Sequence, residues 1–112
     1  MIERHHIIRR SKLKLEHPLN IIHLTSEEHR GENGVHGKNG AELDLKYKQA
    51  LESNLRDILG KSHYTIEELI KKLLLNKEQA HKVFKKVPRE PEGISREEVI
   101  KTLLGGRYYI DC

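Results

Sequence analysis

The stretch ERHHIIRRSKLKLEHPLNIIHLTSEEHRGENGVHG, residues 3–37, decides how this chain is read. It holds six of the eight histidines, and His5-His6, Asn20, His29 and His36 follow one another along it. Imidazole is the commonest metal ligand and the side chain best suited to proton transfer near neutral pH. Ile2 through Ile8 reads as a short strand, and the basic, polar residues 9–19, ending in His17-Pro18, as a loop. Asn20 to Leu24 is rich in β-branched residues and reads as a second strand. Thr25-Ser26-Glu27-Glu28 then supplies a hydroxyl N-cap and an acidic first turn, opening a helix that carries His29. Gly31, Gly34, Gly37 and Gly40 interrupt that helix with a loop that holds His36.

Neighbouring residues on a strand point to opposite sides. His5 and His6 are therefore not equivalent ligands of one ion: one can bind a metal while the other faces a water. His29 can converge on His5 from the following helix, and the glycine-rich turn could fold His36 back. The Asn20 amide both donates and accepts, so it can tie the loop after His6 to the second strand.

His5-His6, Asn20 and His29, in this order and spacing, resemble the motif of the HNH endonucleases, whose nuclease core is the ββα-metal fold. The local text H-H-I-I-x-R-S, N-I-I-x-L, E-E-H and G-V-H-G is similar to the small members from phages and mobile elements. The match covers about a third of the chain. The resemblance implies that His5 and His29 ligate a divalent metal and that His6 is the general base. It implies an orienting role for Asn20, grouped here with the catalytic residues. His36 matches a further histidine that some members use as a ligand, set here at a longer interval than one helical turn. The cysteine pairs that give some relatives a separate structural zinc are missing, so one metal is expected: Mg²⁺ or Mn²⁺ first, Zn²⁺ or Ni²⁺ after them. Phosphodiester hydrolysis needs such a cation and a base near pH 7. Arg4, Arg9 and Arg10 are candidate phosphate clamps. The rival reading is a non-catalytic DNA-binding regulator whose histidines hold a structural zinc; the absence of cysteine from the segment speaks against it. His17, His23, His63 and His81 read as structural histidines.

The rest of the chain is helical in pattern. Leu43, Tyr47, Ala50, Leu51, Leu55, Ile58 and Leu59 line one face of a connecting helix from Ala41 to Leu59, which Gly60 stops. Thr65-x-x-Glu68 and Ser95-x-x-Glu98 are capping boxes that open two more helices. Between them, Asn76 caps a helix carrying Ala80, Val83, Phe84 and Val87, and Pro88 and Pro91 end it. The pair of short helices joined near Leu75-Asn76 has the outline of a helix-turn-helix. In a DNA complex Gln79 would read bases, while Lys82, Lys85 and Lys86 would meet phosphates. Tyr108-Tyr109-Ile110 reads as a final strand or edge. No internal repeat stands out. The expected architecture is α+β: a nuclease motif and connecting helix over 1–60, then a helical, helix-turn-helix-like module over 61–112.

The 112 residues carry a net charge of +4. Two segments hold it. Residues 1–14 set five cations against one carboxylate, and residues 77–89 do the same, so the remainder is net −4. Such clusters are what a polyanion binder needs, although solvated lysines on helix faces give the same pattern. DNA is the expected partner, with oligomeric state left open. The single Cys112 excludes an intramolecular disulfide and fits a reducing compartment. No apolar run approaches a membrane span and the N-terminus is charged from residue 3, so a cytoplasmic protein is expected, one that a phage could encode.

Overall fold

Alternation of polar and apolar residues builds the first element pair. In the computed structural model, which describes residues 2–31, 34–37 and 39–110, β1 (Ile2–His6) and β2 (Ile21–Thr25) form an antiparallel hairpin. The register pairs Glu3 with Leu24, Arg4 with His23, His5 with Ile22 and His6 with Ile21. Glu3, His5, Ile22 and Leu24 therefore share one face, and Arg4, His6, Ile21 and His23 the other. β1 stops at His6 rather than running on to Ile8. Beyond it Ile7 donates to the Asn20 carbonyl (2.8 Å), and both isoleucines turn into the core.

Helix α1 (Ser26–Arg30) follows directly, opened by a complete capping box between Thr25 and Glu28. Helix α2 (Ala41–Ile58) buries Leu51 and Leu55, with Leu59 just past its end. The remaining elements run β3 (His63–Tyr64), α3 (Ile66–Leu73), α4 (Lys77–Phe84), β4 (Ile94–Ser95) and α5 (Arg96–Leu103), with β3 and β4 antiparallel. Capping side chains of Thr65, Asn76 and Ser95 start the three helices. Leu74 ends α3 in the left-handed conformation (φ 54°), which lets Leu75 drop into the core while Leu74 stays exposed. The architecture is α+β, as expected.

Three further features depart from the sequence reading. The two-residue strands β3 and β4 are too short to show any periodicity. Tyr64–Leu74 and Ile94–Leu104 are matched strand-cap-helix units, identical at six of eleven positions, with their strands paired to each other. Tyr108–Ile110 is no strand: it is a tail held by Glu52. That carboxylate is fully buried in α2; Oε1 accepts from the N–H groups of Tyr109 (2.7 Å) and Ile110 (3.2 Å), and Oε2 meets Arg56.

One core runs across residue 60. Ile7, Ile8, Leu13 and Leu15 from the N-terminal segment pack in one cluster with Leu51, Leu55, Leu69, Phe84, Val99 and Leu103. The helical segment thus forms a wall for the loop that follows β1. Among the described residues, no helix is long and apolar enough to cross a membrane.

Candidate metal centre

Three local rules bring three histidines together. The register of β1 puts His5 on the inner face of the hairpin, where it is 4% exposed. The capping box fixes where α1 begins and so sets His29 over that face. The chain then doubles back: Val35 N–H donates to Glu28 O (3.0 Å) and His36 N–H to His29 O (2.9 Å). Glycine is needed for this. A Cβ on Gly40 would lie 1.8 Å from the Gly34 carbonyl oxygen. As a result the imidazole centroids of His5, His29 and His36 stand 4.6–5.0 Å apart. One ring nitrogen from each lies within 4.8 Å of the others.

The surroundings favour a cation between them. His29 Nδ1 is 2.9 Å from Glu3 Oε1, so the proton belongs on Nδ1 and the lone pair of Nε2 faces His5. Glu3 also pairs with Arg30; the His29 contact first, then Arg30, holds its carboxyl below the usual range. His5 Nδ1 lies 3.3 Å from His29 Nε2, while His5 Nε2 is shielded and has no hydrogen-bond partner among the described residues. That spacing serves a hydrogen bond, and equally two ligands about 2.0–2.1 Å from one tetrahedral ion. Burial, followed by the neighbouring His36 and His29, pushes the His5 imidazole down to about 4. Burial and then His29 lower His36 as well. Neutral imidazole is the form that ligates metals. The donor set therefore fits a divalent ion, and three nitrogens suit the later first-row ions better than Mg²⁺, which prefers oxygen.

His6 faces the other way, with Nε2 3.1 and 3.2 Å from the Glu16 carboxylate oxygens. Even so, one pocket of about 280 Å³ reaches around the strand to both faces. His5, His29 and His36 line it together with His6, and Arg4, Arg9 and Arg10 supply the charge. Every sequence-selected histidine except the structural four is in this pocket. Asn20 is not. It is 1% exposed, and its amide clamps the backbone of Ile8, accepting from its N–H (2.7 Å) and donating to its carbonyl (3.0 Å). Grouped with the catalytic residues by resemblance, Asn20 thus makes the backbone tie just past His6 that the reading of its amide expected.

The second basic segment is arranged differently from the expectation. Gln79 is half-buried and accepts the Glu16 N–H at 2.6 Å, so its carbonyl joins the helical segment to the loop after β1 instead of facing outward to read bases. Lys82 is exposed on α4; Lys85 and Lys86 are exposed just beyond its end rather than on its polar face.

A larger, mostly apolar cavity of about 530 Å³ lies between the outer face of the hairpin and the α3–α4 turn. It gathers no such donor set. His63, Glu90 and Glu92 form a second convergent group, but its carboxylates are exposed and pair with His63. Sequence reasoning passed over Glu3 and Glu16. Glu3 was findable, since it sits two residues from His5 on the same strand face; Glu16, in an irregular loop, carries no periodic signal. No protein-family model matches this chain, nor does any curated protein or solved structure.

Proposed function

We propose that this protein is a metal-dependent endonuclease that hydrolyses DNA phosphodiester bonds. The observation that carries the reading is a single pocket uniting three histidines whose ring nitrogens converge, a fourth histidine outside that donor set, and three arginines. The hairpin, the following helix and the order of the site residues agree with the HNH-type ββα-metal arrangement that the sequence resembles.

His5, His29 and His36 would hold one divalent ion, with Mn²⁺, Ni²⁺ or Zn²⁺ ahead of Mg²⁺. Such an ion, when bound, supplies Lewis-acid stabilisation of the phosphate and leaving oxygen. Glu3 keeps His29 in its ligating tautomer. Arg4, Arg9 and Arg10 bind the phosphate oxygens and orient the backbone in the pocket. His6 takes the proton of a water molecule; the water oxygen bonds to phosphorus while the P–O bond to the leaving oxygen breaks. That oxygen departs with the bonding electron pair and is protonated from solvent. The exposed Lys82, Lys85 and Lys86 add sequence-independent attraction for the duplex.

The test is plasmid nicking with Mn²⁺, Ni²⁺, Zn²⁺ or Mg²⁺, with and without chelator. Cleavage that needs metal and is lost in His6→Ala, with metal affinity retained, is expected. Wild-type-like nicking by His6→Ala would defeat the mechanism. DNA binding without cleavage under any metal would instead favour the structural-zinc regulator.

A further inference from the structure

Glu16 meets His6 with both carboxylate oxygens, 3.1 and 3.2 Å from Nε2. Two anionic acceptors on one ring nitrogen require a proton there, because a lone pair at Nε2 would face both oxygens. Arg10 Nε lies 3.5 Å from the same nitrogen and 3.7 Å from Glu16 Oε1. Nε2 cannot both donate to Glu16 and accept from Arg10; the two shorter carboxylate contacts decide for donation, and the guanidinium pairs with the carboxylate.

Glu16 is in turn held by the helical segment. Its N–H donates to Gln79 Oε1 (2.6 Å), and its carbonyl accepts from Asn76 N–H (3.3 Å). Asn76 is the N-cap of α4, and its side chain accepts from Gln79 N–H (3.0 Å). The first turn of α4 therefore grips the backbone of Glu16, and the side chain of Glu16 grips His6.

Resting on the nuclease reading, we infer that Glu16 is a positioning residue for the general base. It keeps the His6 proton on Nε2 and leaves Nδ1 as the nitrogen that takes the proton of the attacking water. It then stabilises the imidazolium so formed, the part a carboxylate plays behind a histidine base. Through Gln79 and Asn76, the docking of α4 fixes the carboxylate and with it the base. A segment that contributes no ligand to the metal centre thereby acts on the chemistry.

Glu16→Gln preserves shape but offers Nε2 an amide that can donate, which favours the wrong tautomer. Its kcat for nicking should fall on the order of 100-fold with KM within about twofold, within the range a general base contributes. Gln79→Ala should lower kcat less, and it should add little in the Glu16→Gln background. Long-range ¹H–¹⁵N spectra read the tautomer directly, without DNA. The wild type should show His6 as Nε2–H, and Glu16→Gln should populate Nδ1–H. Wild-type kcat in Glu16→Gln, or an Nδ1–H ring in the wild type, overturns the inference while leaving the nuclease reading intact. A wild type that never cuts defeats the nuclease reading instead, and the base role assigned to Nδ1 falls with it.

Discussion

His17 offers a prediction whose size follows from its surroundings. The side chain is 2% exposed, and neither ring nitrogen has a hydrogen-bond partner among the described residues. Burial pushes its imidazole from the ordinary 6.5 down to about 4, against a smaller upward pull from Glu16. On acidification the unfolded chain takes up a proton first. The stabilisation is therefore complete above about pH 6.5 and is lost as pH falls towards 4. The gap between 6.5 and about 4 corresponds to about 3 kcal/mol, and the slope in between approaches 1.4 kcal/mol per pH unit, roughly the value of one proton. His17→Phe keeps a planar ring and removes both the titration and the unpartnered nitrogens. Urea unfolding in chelator, at pH 7.5 and pH 4.5, measures the difference. At pH 7.5 the variant should match or exceed the wild type by about 1 kcal/mol. At pH 4.5 its advantage should grow by about 2.5 kcal/mol. His5 also titrates in this window, but it does so in both proteins and cancels. An advantage that is the same at the two pH values would refute the argument that His17 is buried neutral.

Asn20→Ala removes both bonds to the Ile8 backbone, where Ile8 itself is 1% exposed. Leaving that N–H and C=O unpaired should cost about 2–4 kcal/mol in urea unfolding, and a loss below ~1 kcal/mol would contradict the clamp. Glu3→Gln takes the charged partner from His29 Nδ1, so metal affinity by calorimetry should drop about 10–100-fold, as for other outer partners of a ligand histidine. Affinity equal to the wild type would rule out the orienting role of Glu3.

Much of this architecture was legible because its signals are local. The capping box at Thr65, the Ser95 and Asn76 caps and the apolar stripe of α2 depend on residues three or four apart, and each capped helix begins where its cap stands. Strand alternation separated His5 from His6 for the same reason. Partners distant in sequence were not legible. Glu52 could not be matched to the tail at Tyr109–Ile110, nor Gln79 to Glu16, because each pairing follows from how two segments dock. The outward role expected of Gln79 failed on this point: a polar residue on a helix shows its chemistry in the sequence but not which way the helix is turned.

The sequence by itself determined the hairpin, the helix that carries His29, and the division of the two adjacent histidines between opposite faces. These follow from backbone periodicity and from the groups left unpaired at helix ends. Only the tertiary structure decided that His36 closes on His5 and His29, that Glu3 and Glu16 orient one ring each, and that α4 reaches the base through Glu16. Those contacts join residues up to 63 positions apart, and such distances are closed only when the shared core of Ile7, Leu15, Leu55 and Phe84 is buried. Burial of apolar area fixes where each segment sits, and the polar partnerships follow from that placement.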